Sequence, residues 1–219
     1  RRPPRSTRKE SSAASDVYKR QIVMYFGDHG MLIGHHGYYG RGAVGVIAGN
    51  KVVGYENIAN LYDEAIKIPL IIRAPALIEP GQEIEMPVSN IDVFPSIMSA
   101  LGINAPAELK LSGADLIQIS NEQDTLESRP IFAQFAMRNF GYSDLRMVRS
   151  GKWKLIKRFN LKANAELVDE LYDLEADPNE ETNLIKQVSN QPIYEKLDNL
   201  IHSWMISIDD PLLSSSFKQ

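Results

Sequence analysis

Ile22-Val23-Met24-Tyr25-Phe26-Gly27-Asp28-His29-Gly30 sets a short apolar run against an abrupt polar end. A run of this length, rich in β-branched and aromatic residues and closed by glycine, reads as a strand buried on both faces over residues 22–27. In open α/β sheets, ligands bind in the crevice beyond the carboxyl ends of the strands. Asp28 and His29 are therefore expected at the edge of a site. A carboxylate oxygen beside an imidazole nitrogen suits a divalent cation, although Asp-His-Gly is equally an ordinary strand-ending turn.

Four residues beyond that segment comes Gly34-His35-His36-Gly37-Tyr38-Tyr39-Gly40-Arg41-Gly42, in which four of nine residues are glycine. Such a loop is costly to order. Glycine lets backbone and cationic side chains approach an anion, and the Arg41 guanidinium offers several donors to a tetrahedral oxyanion. Its setting among glycines suggests a side chain turned inward. One acid, three imidazoles and one arginine in fourteen residues read together as half of an anion-and-metal site, against the plainer reading of a solvated loop.

The order of the segments that follow carries a resemblance. Leu61-Tyr62-Asp63-Glu64-Ala65-Ile66-Lys67-Ile68-Pro69-Leu70-Ile71-Ile72-Arg73-Ala74-Pro75 reads as helix then strand. Val88-Ser89-Asn90-Ile91-Asp92-Val93-Phe94-Pro95 opens a further helix that ends near Gly102. Met147-Val148-Arg149-Ser150-Gly151-Lys152-Trp153-Lys154-Leu155-Ile156 and Glu170-Leu171-Tyr172-Asp173-Leu174-Glu175-Ala176-Asp177-Pro178-Asn179-Glu180 follow. Taken with the two site segments, residues 22–205 resemble the C-terminal portion of a type I, formylglycine-dependent sulfatase of the alkaline-phosphatase-like superfamily.

The resemblance implies an α/β fold: part of an alkaline-phosphatase-like, mainly parallel sheet with helices, joined to a small C-terminal antiparallel sheet with a helix. It implies hydrolysis of sulfate esters, those of sulfated glycans first, by a formylglycine whose hydrated aldehyde attacks sulfur. It implies calcium (Ca2+) bound by acidic residues and an Asp-His pair, which Asp28 and His29 match. Arg41 stands where many members have a lysine touching the sulfate, and His36 matches a position assigned to substrate contact or site support. Export to the periplasm or the cell exterior is implied in the same way. The formylglycine motif and the paired acids at the start of such chains have no counterpart here, and cysteine is absent. The sequence thus reads as a fragment, inactive alone, whose partners are a sulfated carbohydrate and the missing N-terminal half.

Composition supports this organisation. Residues 1–21 hold seven of the 24 basic and two of the 28 acidic residues and lack apolar periodicity, so they read as a non-native leader. The remainder carries 17 basic against 26 acidic residues, a formal charge of −9, which argues against nucleic acid as a partner. No run approaches the roughly 20 apolar residues of a membrane helix. Residues 22–127 read as the C-terminal part of a catalytic α/β domain and 128–219 as a C-terminal subdomain.

Within these, the spacing predicts a site loop to about residue 55, a helix near 56–66, and a buried strand at 68–72. A helix follows from Ser89 or Asn90 to about Ala100, with Val93, Ile97 and Leu101 aligned, then a connecting loop over 104–128. Strands are expected at 130–135, 146–149, 153–157 and 171–173, with Ser150-Gly151-Lys152 as a hairpin connection. An amphipathic helix is expected over 192–207, with Trp153 and Trp204 as core anchors.

Two other functions remain open at this point. A phosphatase or phosphodiesterase of the same superfamily would need more metal ligands than His29, His35, His36 and His202 offer. A non-catalytic carbohydrate-binding module would use Tyr38, Tyr39 and Trp153 as sugar platforms.

Overall fold

A computed structural model describes residues 17–18, 20–41, 44–48, 51–52, 59–106, 108–109, 111–122, 129–137, 143–159, 168–188 and 191–214. In chain order the strands are β1 (Val23–Phe26), β2 (Leu32–Ile33), β3 (Tyr38–Gly40), β4 (Val44–Ala48), β5 (Lys51–Val52), β6 (Leu70–Arg73), β7 (Ile131–Met137), β8 (Ser143–Ser150), β9 (Trp153–Phe159) and β10 (Glu170–Asp173). The α-helices are α1 (Asp63–Ile66), α2 (Val93–Ala100), α3 (Leu116–Glu122), α4 (Ile185–Val188) and α5 (Pro192–Ser207). The chain divides into two compact units, the first from the described parts of 1–28 and 69–127, the second from those of 29–68 and 128–219. Residues 29–68, grouped by sequence with 22–127, cluster with the second unit.

In the first unit β1 and β6 form a two-stranded ribbon, Val23 opposite Arg73 and Phe26 opposite Leu70. Two expectations are corrected here. Residues 22–27 were read as buried on both faces, but Val23, Tyr25 and Phe26 are exposed, because one neighbouring strand cannot cover a strand's faces. A mainly parallel sheet was expected; among the described residues every strand pair is antiparallel. The antiparallel ladder is the more stable one per residue for an isolated pair.

Also in this unit, the Ser89 amide donates to Asp92 Oδ2 at 2.7 Å, starting a 3-10 turn at Asn90–Asp92 that runs into α2. Gly102, in the left-handed region at φ 65°, ends it. The predicted stripe of Ile97 and Leu101 faces outward; the buried residue of α2 is Ser96, whose hydroxyl accepts from the Leu116 amide at 2.8 Å. The expected loop over 104–128 contains α3, which buries Leu116, Ile117 and Ile119 after Asp115 accepts from the Ile117 amide. Gly113 lies against the Ile91 carbonyl, where a Cβ would come within 2.3 Å of the oxygen.

The second unit holds two antiparallel four-stranded sheets. One has the order β2-β3-β4-β5 and occupies what the sequence suggested was a loop. The other, in the order β10-β9-β8-β7, is the expected C-terminal sheet, extended by a few residues at most strand ends. Gly151 at φ 58° makes the two-residue turn between Ser150 and Trp153. Strand alternation sends Leu145, Met147, Ile156 and Tyr172 to one face, where they pack with Ala59 and Leu61. Val148, Leu155 and Leu171 point to the other, against Ile185 of α4 and Leu197, Ile201 and Met205 of α5. A residue buried to this degree contributes about 1.5–3 kcal/mol.

The helix expected at 56–66 is reduced to the four residues of α1, with 53–58 outside the described residues. The helix α5 runs over the predicted 192–207 with Pro192 in its first turn, where a missing amide hydrogen is harmless. Trp204 stacks on Phe132 with centroids 4.9 Å apart, and Trp153 packs on the same cluster, so both act as core anchors. Among the described residues no helix is long and apolar enough to cross a membrane.

Candidate functional site

Asp28 closes the first unit and His29 opens the second, so each is described with its own unit. Asp28 is exposed just after β1. The His29 Nδ1 lies 2.7 Å from the Gly30 carbonyl oxygen. A carbonyl only accepts, so Nδ1 carries the hydrogen and Nε2 the lone pair, the tautomer a metal or a donor would meet. Gly30 is required where it stands: its amide donates to the Ala65 carbonyl at 2.9 Å, and a Cβ would sit 2.1 Å from the Glu64 oxygen. Among the described residues no cluster of three or more His, Asp, Glu or Cys side chains is arranged to hold a metal ion.

His36 is the most constrained of the predicted residues. Its backbone is left-handed at φ 56°, a conformation that strains a non-glycine residue, between Gly34 and Gly37, which also have positive φ. Its ring stacks on Tyr62 at 4.0 Å with 10° between planes. Nε2 faces Glu64 Oε2 at 3.7 Å, and both atoms are buried without a hydrogen-bond partner among the described residues. This sets an imidazole nitrogen beside a carboxylate oxygen, two polar atoms able to bind a polar group. Arg41 was expected to turn inward; its side chain is exposed, and the part of it that is fixed is the backbone, whose carbonyl accepts from the buried Asn60 amide at 3.0 Å. His35 is exposed.

The structure adds residues to which sequence reading gave no role at the site. Tyr62 meets Tyr172 edge to face at 6.3 Å, and the Tyr172 hydroxyl donates to Glu170 at 3.2 Å. Burial, with the charge of Glu170 beside them, pushes both phenols well above the usual tyrosine range, so they serve as neutral donors. Arg158 pairs with Glu170 and donates to the Ala59 carbonyl at 2.7 Å, tying the 59–62 segment to the sheet. Asp63 and Glu180 meet the fully buried Lys154. The signal for that cluster was a lysine in strand alternation with Ile156, whose face packs on Ala59 and Leu61.

The family described as N-sulphoglucosamine sulphohydrolase, C-terminal, matches residues 54–206. An uncharacterized sulfatase YidJ of Escherichia coli is 28% identical over 192 residues, 88% of this chain and 33% of that protein. Human arylsulfatase K is 28% identical over 211 residues, 93% of this chain and 34% of that protein. The chain thus spans about a third of the length of the curated relatives it matches. Among solved structures, that of BT4656 in complex with its substrate D-glucosamine-2-N,6-O-disulfate superposes with a TM-score of 0.68 at 21% identity. It covers 87% of this chain and 35% of that one, and shows that the fold is shared. The α/β architecture and the motif order from Asp28 to Glu180 agree with these matches, and the chain belongs to the sulfatases, corresponding to their C-terminal part.

Proposed function

We propose that the intact protein hydrolyses sulfate esters of a sulfated carbohydrate. In this reading the chain supplies Asp28 and His29 toward a calcium ion and Arg41 and His36 toward the substrate. The observation that carries it is the seat of His36: an imidazole on a left-handed backbone, stacked on Tyr62, with two buried polar atoms, His36 Nε2 and Glu64 Oε2, lacking hydrogen bonds among the described residues. Strain of this kind persists where surrounding structure enforces it, typically at functional sites. BT4656, solved with a disulfated glucosamine as its substrate, supports a sulfated sugar as the substrate class.

The donor chemistry of Asp28 and His29 suits a cation, since one offers a carboxylate and the other an imidazole lone pair at Nε2. Calcium takes about six to eight ligands, mostly oxygens, so further oxygens from the protein, the substrate or water would complete its shell. When bound, calcium polarises sulfate oxygens and stabilises charge developing on them. The nucleophile, a formylglycine, would likewise come from a preceding segment, and the chain alone is expected to be inactive. The exposed apolar side chains of Val23, Tyr25, Phe26 and Ile71 are consistent with a further segment that covers them. Export to the periplasm or the cell exterior is part of the same reading, carried by the family resemblance.

The test uses the full-length protein and its Asp28→Ala variant on an aryl sulfate, sulfated glucosamines and the corresponding phosphate esters. Sulfate ester turnover in the wild type and a loss of about two to three orders of magnitude in the variant are expected. A preference for phosphate esters, or a variant with normal rate and metal content, overturns the reading.

A further inference from the structure

Lys154 is the largest fully buried side chain among the described residues, with 0% of its surface exposed. An ammonium group taken out of water must be paired, and its partners here are specific. Nζ lies 2.7 Å from Asp63 Oδ1 and 2.6 Å from Glu180 Oε1. Glu180, itself buried and left-handed at φ 56°, uses Oε2 to accept the Asp63 amide at 2.6 Å. Asp63 is therefore gripped at both ends, by Lys154 at its carboxylate and by Glu180 at its backbone. Arg149 adds a weaker contact, 3.8 Å from Asp63 Oδ2.

What is gripped matters. Asp63 begins α1, a single turn too short to hold itself by its own hydrogen bonds. On one side of Asp63 sits Tyr62, the ring against which His36 stacks; on the other sits Glu64, which faces His36 Nε2. One residue further, the Ala65 carbonyl accepts the Gly30 amide and so holds the segment that follows His29. We propose that Lys154 is a positioning residue for the site loop, acting through Asp63 and Glu180 to seat the turn α1, whose Tyr62 and Glu64 hold His36. Well-packed apolar residues at such a place would be at least as stabilising, so the buried charge is accounted for by geometry rather than by stability. The inference rests on the reading of this loop as the sulfate site.

The experiment compares wild type, Lys154→Met and Asp63→Asn in the full-length protein, by backbone hydrogen exchange and by steady-state kinetics on a sulfate ester. Expected in both variants is exchange about tenfold faster or more at Gly30, Asp63 and Ala65, the order of one charge-assisted hydrogen bond, with α5 amides such as Ile201 and Met205 unchanged. A lower kcat/KM accompanies it. Uniformly faster exchange in α5 and the turn alike marks a merely stabilising lysine and overturns the proposal, as does unchanged exchange at the three amides. Local loosening with wild-type kinetics overturns it too. Asp63→Asn keeps the shape of the turn and decides the matter should Lys154→Met fail to fold. If wild type hydrolyses no sulfate ester, the substrate reading falls, and the positioning role is judged on the exchange pattern alone.

Discussion

Arg146 of β8 grips Asp210, just beyond α5, through both carboxylate oxygens, Nε to Oδ2 at 2.5 Å and Nη2 to Oδ1 at 3.0 Å. Both side chains are buried, and the pair fastens the end of the C-terminal helix to the sheet. Burial by itself would raise the Asp210 carboxyl, but the Arg146 hydrogen bond, the Leu212 amide and the Arg146 charge together hold it below its ordinary value. A carboxyl depressed in the fold contributes stability above its unfolded pKa, and that contribution is lost as pH falls through the folded value. Asp210→Asn should therefore cost roughly 3–5 kcal/mol near neutrality, since it leaves a buried guanidinium uncompensated. Urea melts should show the difference shrinking in acid. A variant as stable as wild type at neutral pH would contradict the assignment.

Glu180 should behave in the opposite sense. Burial pushes its carboxyl above the ordinary 4.5, against the pull of the Lys154 charge and hydrogen bond. A group with a raised folded-state pKa contributes fully below the unfolded value, and the contribution is lost as pH rises through the folded one. The wild type is expected to lose stability from pH 4.5 towards neutrality more steeply than Glu180→Gln, measured as urea midpoints. Parallel profiles would show that Glu180 does not titrate in this window.

Gly30→Ala tests the close approach beside His29. With the Glu64 oxygen 2.1 Å from the new Cβ, α1 or the loop must move, at about 1–3 kcal/mol. Thermal melts together with loss of protection at the Gly30 amide report it. An unshifted melting temperature would mean that the backbone yields freely.

In the first unit, Asp92 is wholly buried and accepts from the Ser89 amide at 2.7 Å and the Ala114 amide at 2.8 Å. Asp92→Ala leaves two donors without this acceptor and is expected to destabilise by roughly 1–3 kcal/mol. Exchange at the Ser89 and Ala114 amides should rise with it; protected amides in a stable variant would show that other acceptors replace the carboxylate.

Arg41 offers a kinetic test in the full-length protein. An exposed guanidinium that meets substrate should show its loss mainly in KM, with Arg41→Lys keeping part of the effect and Arg41→Ala little. Identical kinetics in Arg41→Ala would reduce it to a solvated surface residue.

Several parts of this architecture were open to inspection in the linear chain. The helical spacing of Ile193, Leu197, Leu200, Ile201 and Trp204 announces α5, because it gathers apolar side chains on one face to bury. Gly151 between two alternating runs announces the hairpin, because a two-residue turn demands a left-handed residue. The order of motifs from Asp28 to Glu180 was enough to point to the sulfatases. The burial of β1 was misjudged, since apolar composition states what a strand could bury, not what lies next to it. The helix α3 was passed over because seven residues carry too short a period to separate from a loop.

The amino-acid sequence by itself pointed to the candidate side chains Asp28, His29, His36 and Arg41, through residue chemistry and family resemblance, and to the helix α5 and the strands of the C-terminal sheet, which depend on local period. Only tertiary structure decided that His36 stacks on Tyr62 and that Lys154 closes on Asp63 and Glu180. Those partners lie 26 or more positions apart in the chain, and no local preference encodes which distant carboxylate a buried ammonium will meet. Their pairing follows from the register of β9 beside β10 and the packing of residues 59–66 on that sheet, where desolvation leaves a charge no alternative to the partners within reach.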